Sequence, residues 1–296
     1  MKILIIGADG QLGTDLCKVI PKEEQIPLTI KDIDITDKEK TFQVIKKHAP
    51  DVVINTAAYH NVDKCEDEPA LAFAVNAEGV KHVAEACKQA KAVLVHISTD
   101  YVFNGEKGSP YVETDSPNPL SVYAKSKYTG EQNVKDVLEK HFIVRSTGLY
   151  GVAGCLGKGG TNFVEGMLKR AASQPELKVV TDEVLSPTYT FDLASKINQL
   201  IRTKHYGLYH IVNHGECSWY EFTSKIFELL DRKITIHKTS SAEFKTKAKR
   251  PKYSVLKNAN LEKLGMDDLR PWPEALKAYL MEKGHLPAGK AALKSS

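Results

Sequence analysis

Long apolar runs are missing from this chain, and none of its stretches is long enough to cross a bilayer as a helix. A leader-like N-terminus is not expected either, because a strand-like run starts at Lys2 and Asp9 follows it closely. Cysteine is sparse and scattered, at Cys17, Cys65, Cys87, Cys155 and Cys217, with no C-x-x-C pair. That spacing excludes zinc-finger and dithiol motifs, and the odd count argues against a disulfide framework. Reduced thiols, a cytoplasmic location and no metal site are the resulting expectations. Charge of one sign is also lacking: 41 basic residues face 37 acidic ones, a net +4. Such a balance excludes a polycation built for nucleic acid and leaves room for an anionic small-molecule substrate. No internal repeat or heptad array is present. One basic stretch, Lys245 to Lys252, carries five Lys or Arg and reads as a solvated loop. The tail from Leu286 to Ser296 reads as frayed.

What is present is an alternation of strands and helices over 296 residues. Apolar runs at Ile3–Ile6, Leu28–Ile30, Asp51–Asn55, Val93–Ile97 and Phe142–Arg145 predict strands. Helical periodicity falls between them at Gly10–Ile20, Lys38–His48, Leu71–Gln89 and Ser121–Lys140, the last broken or eased near Gly130. Continuously apolar strands between helices predict a parallel sheet covered on both faces. The expected fold is α/β, a doubly wound NAD(P)-binding Rossmann sheet with a smaller C-terminal substrate-binding lobe. Residues 1–150 would form the dinucleotide half. Residues 151–296 would form mainly the substrate lobe, with some elements returning to the sheet. In that second half a glycine-rich loop is expected at 151–160. Helices are expected at 161–172, 191–202 and 219–230, and strands at 178–180 and 206–212.

Ligands of such sheets bind at the carboxyl ends of the strands. Gly7, Ala57, Thr99 and Ser146 fall at or just past such ends. The first is part of Gly7-Ala-Asp-Gly10-Gln-Leu-Gly13, a glycine turn between strand and helix. Gly7 would permit the tight turn, Gly10 the approach of a pyrophosphate, and Gly13 close packing of helix on strand. The helix N-terminus would attract the phosphates. For the ribose, Asp32 could hold a 2′-hydroxyl or Lys31 a 2′-phosphate, so NADH and NADPH both stay open. Asp34 to Asp37 either reaches the adenine or caps the next helix.

The chemistry points to Tyr123-Ala-Lys-Ser-Lys127. Reducing a ketone needs a proton donor as well as a hydride. A phenol can donate, but its free pKa is about 10, and a nearby ammonium would lower it. Residues four apart share a helix face, so Lys127 can approach Tyr123 while Lys125 is solvated. Thr99, at the end of the Val93 strand, can hold a carbonyl for attack.

These motifs, with Asn55-Thr-Ala-Ala58, Ser98-Thr-Asp-Tyr-Val-Phe103, Ser186-Pro-Thr188 and Lys249-Arg-Pro-Lys252, resemble the dTDP-4-dehydrorhamnose reductase family of extended short-chain dehydrogenase/reductases. The resemblance runs from Met1 to about Leu280. It implies Thr99, Tyr123 and Lys127 as the catalytic trio. It implies dinucleotide contacts from Gly10, Gln11, Leu12, Asp34, Ile35, Ala58 and Tyr59, beside Gly7 and Ala57, with NADPH or NADH as cofactor. Thr99, Asp100 and Tyr123 would touch the sugar of a dTDP-linked 4-keto-6-deoxy substrate. Arg250 would serve its diphosphate, in a monomer or homodimer. Trp219 is expected in the core rather than on the base. The family commonly has Trp where this chain has Gly148, and a small polar residue where it has His60. A reductase of another nucleotide-linked keto sugar, and a non-catalytic regulatory subunit like the β subunit of methionine adenosyltransferase, are the alternatives. Tyr101, where dehydratases carry a second acid after Asp, makes dehydration a poor fit.

Overall fold

The computed structural model describes residues 1–155, 159–244 and 246–287. Part of the glycine-rich loop, Lys245 of the basic stretch and most of the C-terminal tail lie outside the described residues. The predicted strands form one parallel sheet: β1 (Ile3–Ile6), β2 (Gln25–Leu28), β3 (Val52–Asn55), β4 (Val93–Thr99), β5 (His141–Ser146) and β10 (Gly207–His210). Its spatial order is β2-β1-β3-β4-β5-β10. β1 feeds β2 on one side, and the chain then crosses to β3 on the other. The connections from β1 and β3 therefore run to opposite sides, which opens a crevice at the carboxyl ends of these parallel strands.

The chief helices are α1 (Gln11–Val19), α2 (Lys38–His48), α5 (Val80–Ala90), α6 (Val122–Val137) and α8 (Thr190–Leu200). On one face Ile3, Ile5, Val52 and Val144 pack with Leu12 and Leu16 of α1 and Leu193 and Ile197 of α8. On the other, Leu4, Ile6, Val53 and Leu94 pack with Ile45 of α2, Val83 and Ala84 of α5 and Val134 of α6. Burial on both faces is why these strands read as continuous apolar runs rather than alternating ones.

Three boundaries differ from the sequence expectation. β2 runs three residues earlier than Leu28–Ile30, pairing Gln25 with Ile3. It is an edge strand, where Pro27 is tolerated because no donor is needed on the open side. The long helix predicted at Leu71–Gln89 is α4 (Pro69–Phe73), a π-helical turn at Ala74–Gly79, then α5. α6 runs through Gly130 unbroken. Glycine stands there for packing, since a Cβ would lie 2.2 Å from the Asn76 carbonyl oxygen of the π turn.

Past β5, short strands β6 (Leu149–Tyr150) and β9 (Thr188–Tyr189) pair, as do β8 (Val184–Leu185) and β11 (Cys217–Ser218). β7 (Glu176–Val180) pairs with β12 (Thr235–Thr239). α7 (Phe163–Ser173), α9 (Trp219–Leu229) and α11 (Trp272–Glu282) surround an aromatic core of Tyr150, Tyr189, Phe222 and Tyr279. α9 starts on a capping box in which Ser218 and Glu221 satisfy each other's backbone.

Candidate active site

The crevice opens into a cavity of about 1100 Å³ lined by residues from both halves of the chain. At its β1 end, Gly7 adopts φ +80°. A Cβ on Gly13 would stand 2.1 Å from the Gly7 carbonyl oxygen, so only glycine lets α1 approach the turn this closely. The N-cap of α1 is Gly10, with no side chain on the first-turn N–H groups. Those donors, and the positive end of the helix, are left for an anion. Gln11 and Leu12 line the cavity there, and the Gln11 side-chain oxygen is buried with no partner among the described residues. These features fit a dinucleotide pyrophosphate.

Farther along, Ile30, Ile33, Asp34 and Ile35 line the wall. Asp34 accepts hydrogen bonds from the Thr36 backbone and hydroxyl, while Asp37 caps α2 through the Lys40 amide. Of the two alternatives for this run, capping falls to Asp37, while Asp34 lines the cavity. Neither ribose candidate lines the cavity. The Asp32 carboxylate is taken by the Thr29 amide (2.8 Å) and hydroxyl (3.0 Å) in the turn after β2.

Ala57, Ala58 and Tyr59 follow β3 and also line the cavity. They are held by Asn76, a residue the sequence reading passed over. Its side-chain carbonyl accepts the Tyr59 amide (2.9 Å), and its amide donates to the Tyr59 carbonyl (2.8 Å) and to Ser126 Oγ (3.0 Å) on α6. The π turn places this side chain where the loop after β3 meets α6. The Tyr59 hydroxyl binds Glu68, which pushes the phenol up to about 12.

Thr99 ends β4, and Tyr123 and Lys127 sit on the first turns of α6, whose N-cap is Ser121. All three face the cavity, and Lys125 is exposed, as the four-residue spacing requires. The Thr99 hydroxyl shares a hydrogen bond with the Tyr123 phenol, which opposes the upward push from burial. The ring edge is open to the cavity, yet its surroundings are dry enough to hold the phenol well above its usual range. The expected lowering by Lys127 is not what this arrangement shows. The Lys127 ammonium donates to the Ile97 carbonyl at 2.6 Å. Burial pulls it down to about 8, against the pull of Glu131 one turn on. Glu131 is itself clamped by Arg145 at 2.8 and 2.6 Å and by Ser98 at 2.5 Å, a buried pair directly beneath the site.

Asp100 accepts from Thr99 at 3.0 Å and from Thr147 at 2.8 Å. Burial nonetheless pushes its carboxyl up to about 6, with hydrogen bonds from Ser254, Thr147 and Thr99 opposing. Tyr101 meets Tyr123 edge-on, with ring centroids 6.0 Å apart. The opposite wall holds Phe163 and Trp219, stacked at 4.2 Å, together with Glu183 and Arg250. Trp219 therefore stands at the edge of the aromatic core with a face on the cavity, not wholly inside. Arg250 donates one Nη2 bond to Asp63 (2.8 Å), while its Nη1 is buried with no partner among the described residues. Gly148 has φ +56°, and a Cβ there would lie 2.6 Å from Leu185 Cδ1. Leu185 fills the space beside Gly148.

Comparisons follow the same lines. The family described as RmlD substrate binding domain matches residues 1–284. The spore coat polysaccharide biosynthesis protein SpsK of Bacillus subtilis is 40% identical, covering 95% of this chain and 98% of its own. A crystal structure of a dTDP-4-dehydrorhamnose reductase from Clostridium acetobutylicum is 44% identical, with TM-score 0.90 over 95% of this chain and 98% of that one. A dTDP-4-dehydrorhamnose reductase from Bacillus anthracis, solved in complex with NADP, is 42% identical, with TM-score 0.90 over 95% and 100%. The chain belongs to the RmlD substrate binding domain family.

Proposed function

We propose that this protein is an NAD(P)H-dependent oxidoreductase that reduces the C4 ketone of a dTDP-linked 4-keto-6-deoxy sugar, the dTDP-4-dehydrorhamnose reductase reaction. The observation that carries the reading is the placement of Thr99, Tyr123 and Lys127 on the same cavity as the uncapped α1 N-terminus. Relatives named dTDP-4-dehydrorhamnose reductase, 36% and 38% identical over more than nine-tenths of the chain, support it.

The roles follow from position. Gly7, Gly10, Gln11 and Leu12 cradle the pyrophosphate, and Asp34, Ile35, Ala57, Ala58 and Tyr59 line the rest of the dinucleotide path. NAD(P)H supplies the hydride when bound. Thr99 orients the ketone oxygen, and Tyr123 gives it a proton. Raised by burial, the phenol is a reservoir that stays protonated at neutral pH. The ketone oxygen gains charge as the hydride arrives, so donation becomes favourable in the transition state. The Lys127 ammonium, anchored on the Ile97 carbonyl, keeps a positive charge on the same cavity wall. Asp100 fixes the Thr99 hydroxyl and contacts the sugar. Arg250 offers its unpartnered Nη1 to the substrate diphosphate, and the Phe163–Trp219 face takes the base. Cytoplasm is the compartment we propose, because none of the five cysteines is in a disulfide.

Arg250→Ala tests the substrate end. It should raise KM for the sugar nucleotide by roughly tenfold or more while leaving dinucleotide affinity unchanged. An unaltered KM would remove Arg250 from the substrate site.

A further inference from the structure

Glu131 lies behind the cavity wall and touches no part of the space a substrate can enter. It sits one turn beyond Lys127 on α6, so Tyr123, Lys127 and Glu131 form one stripe at intervals of four residues. That stripe meets the end of β4. The Ile97 carbonyl accepts the Lys127 ammonium at 2.6 Å, and the next residue, Ser98, donates its hydroxyl to Glu131 at 2.5 Å. Arg145, the register partner of Ser98 on β5, closes on the same carboxylate through Nε at 2.8 Å and Nη2 at 2.6 Å. Two adjacent residues of β4 thus grip two successive turns of α6 and fix how far along the strand the helix sits.

Glu131 and Arg145 are 0% and 1% exposed. A buried pair of this kind often stabilises a fold no more than well-packed apolar residues of the same volume. A charge beside Lys127 is what apolar residues could not supply. Lys127 is buried and makes no ion pair among the described residues. Burial works against its ammonium, and Glu131 opposes that loss. The other ionisable groups nearby are engaged or neutral. Asp100 is turned to Thr99 and Thr147, and Glu66 of α3 (Val62–Asp67) to the Val122 amide. His96 on β4 is held neutral by burial and by the Lys127 charge, and the Tyr123 phenol stays protonated in the neutral range.

We propose that Glu131, clamped by Ser98 and Arg145, is a positioning residue that acts through Lys127: it sets α6 on β4 and supplies the negative charge that keeps the ammonium charged at the cavity wall. The consequence for turnover rests on the reductase reading; the effect on Lys127 does not. Without the carboxylate the ammonium is disfavoured, so Lys127 should give up its proton at a lower pH.

The experiment is a pH titration of the full-length protein labelled with carbon-13 at the lysine ε carbons. NMR reads it, and Lys127 is the resonance lost in Lys127→Arg. In the parent Lys127 should titrate near 8. In Glu131→Gln the midpoint should fall by about one pH unit. That variant leaves Arg145 unpaired, which threatens the fold, so the pair is also removed together as Glu131→Met with Arg145→Met. There too the midpoint should fall, because the carboxylate is gone. Glu131→Asp keeps the charge and should hold the midpoint near the parental value. Dinucleotide binding, followed by fluorescence, checks that each variant is folded.

Turnover gives a second readout. With the midpoint lowered by about one pH unit, kcat should drop about twofold at pH 7 and about tenfold at pH 9. A pair that serves only the fold predicts one factor at both pH values and an unmoved Lys127. An unchanged Lys127 midpoint in either folded charge-removing variant overturns the proposal, as does a fall in Glu131→Asp equal to that in Glu131→Gln. A kcat loss of equal size at both pH values overturns the link to turnover. Absence of turnover in the parent counts against the reductase reading alone, and the NMR midpoint still decides what Glu131 does to Lys127.

Discussion

Asp100→Asn is the substitution with the most to say about how this site is built. The Asp100 carboxyl is fully enclosed, and burial raises it from its ordinary 3.8 to about 6 despite hydrogen bonds from Thr99, Thr147 and Ser254. A carboxyl whose folded value lies above its unfolded value favours folding at low pH, and that benefit is lost as pH rises through the folded value. At pH 8 the ionised group therefore costs the folded state about 3 kcal/mol relative to a neutral one, taking 1.36 kcal/mol per pKa unit. At pH 5 the cost is smaller, about 1–2 kcal/mol by the same linkage. Asparagine has the same shape and does not ionise; its one carbonyl oxygen accepts as before, while its amide must donate where the second carboxylate oxygen accepted. Whatever constant offset the amide brings, the stability of the variant relative to the parent should grow by about 1–2 kcal/mol between pH 5 and pH 8. The assay is urea unfolding followed by fluorescence at both pH values, compared through midpoints and slopes. A gap that stays constant or shrinks with rising pH would refute the claim that Asp100 is held ionised at a cost to the fold. The same variant should lose turnover, because Thr99 loses a charged acceptor. Stability given up beneath a reacting hydroxyl is then the signature of a functional residue.

Other outcomes follow from the same geometry. Gly130→Ala should destabilise the protein by about 1–3 kcal/mol, since the new methyl meets a backbone oxygen that the Asn76 clamp holds in place; thermal unfolding checks it. Glu131→Gln should cost about 3–5 kcal/mol, leaving the buried Arg145 guanidinium without its counter-charge. Denaturant midpoints read that loss, and no loss would mean the pair is idle. Lys127 is charged below about 8 and neutral above, so kcat should fall as pH rises through that value. A kcat still rising at pH 9 would show that its charge is not needed.

Much of this architecture was legible because burial on both faces of a parallel sheet leaves unmistakable apolar runs. The glycine turn, Thr99, Tyr123 and Lys127 were legible because each sits at a strand end or helix start where local chemistry dictates residue type. What was not legible depends on contacts between distant segments. Asn76 reads as an ordinary helical residue, and only the π turn turns its amide toward Tyr59 and Ser126. Asp32 was one of two ribose candidates, beside Lys31, and the Thr29 turn takes its carboxylate. Lys127 was expected on Tyr123, but burial beside β4 directs its ammonium to the Ile97 carbonyl. Leu185 and Cys155, which line the cavity, lie in the less periodic half of the chain, where no spacing announces their destination.

The most direct measurement is NADPH and NADH oxidation with dTDP-4-keto-6-deoxy-L-mannose, run side by side on the parent and Tyr123→Phe. Turnover on the order of one per second or faster by the parent, falling at least a hundredfold in a variant that still binds the dinucleotide, is what this account predicts. A Tyr123→Phe enzyme within a few-fold of the parent would contradict it, because the proton would then come from elsewhere.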